Sequence, residues 1–447
     1  MNESPVHAGV HMANGFDPAS GVELDPAAAA LLERRDRVLG PSYRLFYREP
    51  VAIDSAEGVW LRGTDGRTYL DAYNNVPAIG HSHPAVTAAV TAQLSKLNTH
   101  TRYLTEPIID YSERLLAKFP AELDRVTFAC TGSEAIDLAV RTARAATGKQ
   151  GIIITEHAYH GTTVAAAGLS PSLGPNNPLG EHVVTIPSID TARTPAAEVG
   201  PRLLASVESA IRALNEGGSG VAAIILDSIF SSDGVQTDPA GFLAPVVEAV
   251  HNAGGLYIAD EVQPGFGRTG EWWGFQRHGI TPDLVVLGKP MGNGIPISAV
   301  VGTSAAQEKF GSLVRYFNTF GGNPVSIAAA TAVLDVIEQD DLVTHSATVG
   351  AQLLTGLREI GASHERVIDV RGAGLFLAME FGAADSARTP DADLAARVVN
   401  GMREEGILIS ASGPAANALK IRPPLPFTAA NADQLLETLE RVIGRSV

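Results

Sequence analysis

The residue that first suggests chemistry is a lysine. In "VVLGKPMGNGIPISAVV" Lys289 ends an apolar, strand-like run and precedes a Pro/Gly-rich turn. Lysine is rarely buried unless it is paired or desolvated for a purpose, and a desolvated amine can attack a carbonyl to form an imine. Other strand-like runs end in complementary groups. "GLYIAD" ends on Asp260 and is followed by Glu261, Val262, Gln263 and the glycine-rich "PGFGRTG". A carboxylate held at a strand end in a low-dielectric site keeps a pyridine nitrogen protonated. "VTFAC" leads into "TGSEAIDLAV", where Thr131 and Glu134 match a capping box. At such a helix start Gly132 and Ser133 present free N–H groups, a hydroxyl and the positive helix end to an anion such as phosphate. "GIIIT" leads into "EHAYHG", whose Tyr159 can stack on a planar ligand. His157 and His160 flank it without a third ligand nearby, so no metal site is expected.

Each feature has an ordinary alternative: a lysine that reaches water, an acid that caps a turn, a helix that is simply well capped. Their meaning depends on whether the fold brings them together. Seven short β-rich runs, "VTFAC", "GIIIT", "HVVTI", "VAAIILD", "GLYIAD", "DLVVLG" and "ISAVVG", alternate with helical stretches between about residues 84 and 330. Near-continuous apolar strands of this kind are buried on both faces, which predicts a mainly parallel sheet covered by helices. In open α/β sheets ligands bind beyond the carboxyl ends of the strands, where all these residues stand. An anion cradle, a stacking aromatic, an acid for a ring nitrogen and an imine-forming lysine together meet the needs of pyridoxal 5′-phosphate (PLP).

The flanking segments read differently. After a Gly/Pro/Ala-rich opening, Asp25-Pro26 and "AAAALLERRDRVLG" predict an N-capped helix ending near Gly40, and "VWLRGTDGRTYLDAY" predicts a hairpin turning at Asp65-Gly66. From about residue 340, "DVRGAGLFLAMEF", "ILISASG" and a Thr428-led helix predict a smaller α+β domain. The expected organisation is an N-terminal segment, 1–75, serving the small domain and the site, a large cofactor domain, 76–335, and a C-terminal small domain, 336–447. The 447 residues carry a formal charge of −16 and no run of basic residues, which argues against nucleic acid and anionic membranes. A single cysteine, Cys130, excludes an intrachain disulfide and fits a reducing, cytoplasmic compartment. Glu3 and Asp17 near the start, with no apolar stretch behind basic residues, give no sign of a secretory signal.

The chain resembles the class III aminotransferase family, of the aspartate-aminotransferase-type fold (PLP fold type I). The resemblance runs from about residue 35 to the end through "YLDAYNNVPAIGHSHP", "TGSEAIDLAVRTAR", "HAYHG", "ADEVQPGFGRTG", "GKPMGNGIPISAV", "FNTFGGNP" and "DVRGAGLF". It implies that Lys289 is the Schiff-base lysine, Asp260 pairs with the pyridinium nitrogen and Gln263 contacts the ring's phenolic oxygen. It further implies that Tyr159 covers the ring, that Gly132 and Ser133 hold the phosphate, and that Thr319 reaches the phosphate from a neighbouring subunit of a homodimer.

Three departures from the usual pattern, Asn74-Asn75 in "NNV", "FNTFGGNP", and Asp227-Ser228 where most relatives carry Glu-Pro, resemble the phospho-lyase branch of that family, as does "NTHTRYL". The implied reaction is β-elimination of phosphate from an amino-alkyl phosphate, O-phosphoethanolamine first among them. The alternatives are an ω-aminotransferase and a catalytically silent PLP-binding module. A phosphorylated substrate needs cations, for which Lys420 and Arg422 in "KIRPPL", Arg44 in "GPSYRLFY" and Arg102 in "TRYL" are candidates, with Tyr43 and Asn75 as further substrate-binding candidates.

Overall fold

The computed structural model describes residues 12–446, so residues 1–11 of the opening segment, Glu3 among them, lie outside the described residues. Strands β1 (Ile53–Glu57), β2 (Trp60–Gly63) and β3 (Thr68–Asp71) form a meander, in which β2 and β3 are the expected hairpin turning through Asp65-Gly66. Helix α1 (Pro26–Val38) precedes them, capped by the Asp25 carboxylate on two N–H groups, with Pro26 at the first helical position, where a missing N–H costs nothing. Helices α2 (Pro84–Leu94) and α3 (Glu106–Leu116) lead into the large sheet.

All seven runs read as strands belong to that sheet: β4 (Arg125–Ala129), β5 (Gly151–Thr155), β6 (Val183–Ile186), β7 (Val221–Asp227), β8 (Leu256–Asp260), β9 (Leu284–Leu287) and β10 (Ser298–Gly302), in the order β4-β10-β9-β8-β7-β5-β6. β10 is antiparallel to both its neighbours, and every other pairing is parallel. Two antiparallel steps restore direction, so β4 ends on the same edge as β9, β8, β7 and β5. β5, β9 and β10 are buried along their whole length, as expected of strands with helices on both faces.

The tail adds β11 (Val367–Ala373), β12 (Phe376–Phe381), β13 (Ile407–Leu408), β14 (Ser410–Ser412) and β15 (Ala418–Ile421). β11-β12-β15-β14 form one antiparallel sheet, while β13 leaves it to pair in parallel with β3. Residues 68–71 and 407–408 are therefore one sheet, and the N-terminal meander is fastened to the C-terminal segment rather than to the large sheet. Helix Ala429–Ser446 packs against helices Leu342–Ser363 and Ala392–Glu404. Among the described residues no helix is long and apolar enough to cross a membrane.

Candidate active site

Beyond the carboxyl edge of the large sheet lies a cavity of about 310 Å³. Helix α4 (Gly132–Thr147) starts on its wall. The Thr131 hydroxyl accepts from Glu134 N at 3.2 Å, and Glu134 Oε2 accepts from Cys130 N at 2.7 Å and Thr131 N at 3.2 Å. This capping box engages the N–H groups of Cys130, Thr131 and Glu134. The N–H groups of Gly132 and Ser133, which both line the cavity, lie in the first turn where the helix supplies no acceptor. Thr162 N donates to Ser133 Oγ at 3.0 Å, so the Ser133 hydroxyl proton stays available for an anion. Gly161 closes the cradle at φ +142°, and a Cβ there would lie 2.4 Å from Ser133 Oγ.

Asp260, at the end of β8, is buried beneath the cavity. His160 Nδ1 bonds its Oδ2 at 2.7 Å, and Val262 N donates to Oδ1 at 3.1 Å. The buried His160 Nε2 has no partner. His160 is thus a partner that aims the carboxylate. Tyr159 and Val262 both border the cavity, an aromatic and a branched aliphatic suited to hold a planar ring. Sequence reasoning misses Val262, for which an apolar residue two positions after Asp260 is the available signal.

Lys289 follows Gly288 just past β9 and projects into the same cavity. Its side chain keeps accessible surface because it faces the open cavity rather than packed core. Burial lowers its pKa and the nearby Arg422 lowers it further, against weaker upward pulls from Asp260 and Asp227. A lysine so placed is readily deprotonated and nucleophilic. The acceptor and donor set, with the cradle, the carboxylate and the amine around one cavity, fits PLP.

Asp227 ends β7 directly opposite Asp260 and lines the cavity too. Burial raises its pKa, and the Asp260 charge adds to the rise. It accepts from Ile229 N at 3.0 Å, from Ser231 N at 3.1 Å and from the Ser231 hydroxyl. Ser231 Oγ in turn accepts from Gln263 Nε2, and Gln263 Oε1 accepts from Arg422 Nη1. Asn75 Nδ2 donates to Gln263 O at 3.0 Å, leaving its buried Oδ1 without a partner. A chain of hydrogen bonds therefore runs from Asp227 through Ser231 and Gln263 to Arg422.

Arg422 is buried, donates from Nε to Tyr73 O at 3.1 Å and stacks over the Tyr73 ring at 5.1 Å. The Asp71 carboxylate fixes that turn by accepting from Tyr73 N and Asn74 N while holding His81 at 2.6 Å. Lys420 Nζ donates to Ser231 O at 3.1 Å. Both cations stand over the Phe376 ring, Lys420 at 5.5 Å and Arg422 at 5.3 Å. Among the described residues neither has a carboxylate oxygen within 4.0 Å. Tyr43, Arg44, Arg102 and Thr319 are exposed and do not line this cavity. Arg102 lies 3.7 Å over Phe317, beside the Thr319 loop.

Comparison with known proteins finds one family and relatives named for two activities. The family model described as "Aminotransferase class-III" matches residues 46–443. A phospholyase from Arthrobacter, solved in complex with phosphoethanolamine, is 42% identical with a TM-score of 0.90, over 93% of this chain and 99% of that one. A Caenorhabditis elegans protein named ethanolamine-phosphate phospho-lyase homolog 1 is 35% identical over 94% of this chain and 96% of its own length. A Drosophila melanogaster protein named alanine–glyoxylate aminotransferase 2-like is 38% identical over 91% of this chain and 85% of its own.

Proposed function

We propose that this chain, which belongs to the class III aminotransferase family and takes PLP as its cofactor, is a phospho-lyase that converts O-phosphoethanolamine and water to acetaldehyde, ammonia and phosphate. The observation that carries the reading is the pair Lys420 and Arg422: a half-buried lysine and a buried arginine beside the Lys289 cavity, with no carboxylate oxygen within 4.0 Å of either among the described residues. Such a pair matches a phosphate dianion, because a buried charge without a partner is costly and a doubly charged ligand relieves two at once. The Arthrobacter neighbour's complex with phosphoethanolamine supports the choice of substrate.

Bound PLP supplies an electron sink for a carbon that loses a proton beside nitrogen. Gly132 and Ser133 would hold its phosphate, and Asp260, aimed by His160, would keep its ring nitrogen protonated. Tyr159 and Val262 would hold the ring between them, and Gln263 would meet its phenolic oxygen. Lys289 takes the proton from the amine-bearing carbon. Arg422 and Lys420 hold the substrate phosphate on the next carbon, so the group that leaves is already stabilised as it departs. Asn75 braces Gln263 against this arrangement. Thr319 completes the cofactor phosphate site of a second copy in a homodimer, and Arg102 stands over Phe317 beside its loop. The compartment is the cytoplasm, in keeping with the lone Cys130.

The second reading, an amine-to-keto-acid aminotransferase, draws on the Drosophila relative. Purified holoenzyme given phosphoethanolamine without a keto acid distinguishes the two: continuous phosphate release supports the lyase. No phosphate, together with continuous turnover of an amine and pyruvate to alanine, replaces it with the aminotransferase.

A further inference from the structure

The elimination poses a proton problem that the cofactor residues leave open. A phosphomonoester is a dianion near neutral pH, and breaking its C–O bond without a proton would expel phosphate as a trianion. A group near the substrate phosphate must therefore supply a proton to the bridging oxygen. Arg422 cannot, because a guanidinium does not give up its proton in proteins. Asp227 accepts three hydrogen bonds and holds its oxygens toward Ser231 and Ile229. Of the two amines gathered there, Lys289 is engaged with the proton of the amine-bearing carbon, which leaves Lys420 for the oxygen on the next carbon.

We propose that Lys420 is the general acid that protonates the departing phosphate, an inference that rests on the phospho-lyase reading. Lys420 sits on β15 opposite Ala378 and Ser410, and shares the Phe376 ring with Arg422. Its ammonium is tied to the backbone oxygen of Ser231, whose hydroxyl binds two residues of the cavity wall, Asp227 and Gln263. The Ser231 carbonyl is a weak partner that a phosphate oxygen can replace. The charged groups acting on it are Arg422 from just beyond its own strand, Asp227 from the end of β7 and Lys289 from beyond β9. Burial, then Arg422, hold its pKa well below the ordinary lysine value. An arriving phosphate dianion favours the protonated form, and the negative charge that builds on the bridging oxygen as its C–O bond breaks makes that oxygen basic enough to take the proton.

The step balances. Lys289 takes the proton from the amine-bearing carbon, and the electron pair left there forms the carbon–carbon double bond. The C–O bond breaks with its pair on oxygen, and the Lys420 Nζ proton moves to that oxygen. Hydrogen phosphate leaves, Lys420 is neutral and Lys289 carries one extra proton. Proton exchange through solvent resets both amines for the next cycle.

Lys420→Arg keeps the charge and removes the transferable proton. With phosphoethanolamine the variant should lose about a hundredfold or more in kcat, with KM within about threefold. The ratio of wild-type to variant kcat should narrow as pH falls toward about 6, where the substrate phosphate begins to carry its own proton. Calorimetric binding of 2-aminoethylphosphonate, which has no bridging oxygen, should be retained within about threefold in Lys420→Arg and weakened at least about tenfold in Lys420→Met. A raised KM with unchanged kcat in Lys420→Arg, or a kcat loss with a pH-independent ratio, overturns the inference while leaving the phospho-lyase reading intact. Wild-type enzyme that releases no phosphate overturns both.

Discussion

Gly161→Ala tests whether Ser133 forms the anion cradle. Gly161 lies at φ +142°, where an L-residue pays about 1–3 kcal/mol of strain. Its new Cβ would stand 2.4 Å from Ser133 Oγ, 2.8 Å from Ser133 Cβ and 2.9 Å from Ser133 Cα, so the obstacle includes backbone and cannot swing aside. Relief requires the start of α4 to shift by several tenths of an ångström, an overpacking cost of about 1–3 kcal/mol. If that shift is borne by the groups that hold the cofactor phosphate, PLP affinity should fall about 5- to 150-fold. The assay is spectroscopic titration of apoprotein with PLP, with thermal denaturation of the apoprotein alongside. Gly148→Ala is the control: Gly148 ends α4 at φ +72° with nothing within 4 Å of a new Cβ. It should lose stability and keep its PLP affinity. Equal PLP affinity in Gly161→Ala and wild type, within about twofold, would refute the assignment of Ser133.

Three further outcomes are expected. Lys289→Ala should leave no borohydride-reducible imine between PLP and the active-site lysine, measured by mass spectrometry after reduction, and no turnover. His160→Phe removes a charge-assisted bond to Asp260 worth about 1.5–3 kcal/mol, so kcat should fall about 10- to 100-fold while Lys289 still captures PLP, as followed by steady-state kinetics and absorbance. Burial raises the pKa of Glu261 to about 7, against bonds from Ser228 and the N–H groups of Gly274 and Phe275. Between pH 4.5 and 7 the folded state therefore holds a proton that the unfolded chain has lost, and this group's contribution falls as pH rises, by about 3 kcal/mol across the window. Relative to Glu261→Gln, wild-type stability by urea denaturation should decline over that range and level off above it. A constant difference would show that Glu261 stays ionised.

Much of this site is legible in the sequence because each chemical residue stands just past a strand. Short apolar runs such as "GIIIT" and "DLVVLG" mark strands buried on both faces, and the residues at the carboxyl end of such a strand face the ligand edge. The reversed direction of β10 has no local signal, since its apolar run looks the same either way. The pairing of β3 with β13 is equally hidden, because it joins residues from opposite ends of the chain. His160 reads as a loop histidine, and its partner Asp260 is 100 positions away, a contact that exists only once β5 and β8 share a sheet. Ser231 likewise acquires meaning only through Asp227, Gln263 and Lys420 meeting around it. The basic residues are the hardest to rank: composition treats Arg44, Arg102 and Arg422 alike, while the fold buries one and leaves the other two in solvent.

The stoichiometry of products tests the central claim most directly. Holoenzyme incubated with phosphoethanolamine and no keto acid should release one phosphate for each ammonia over many turnovers, with PLP absorbance unchanged at the end and no acceleration by pyruvate. Amino transfer to the cofactor would instead halt after a single equivalent, leave the pyridoxamine spectrum and resume on adding pyruvate, and that result would contradict the account.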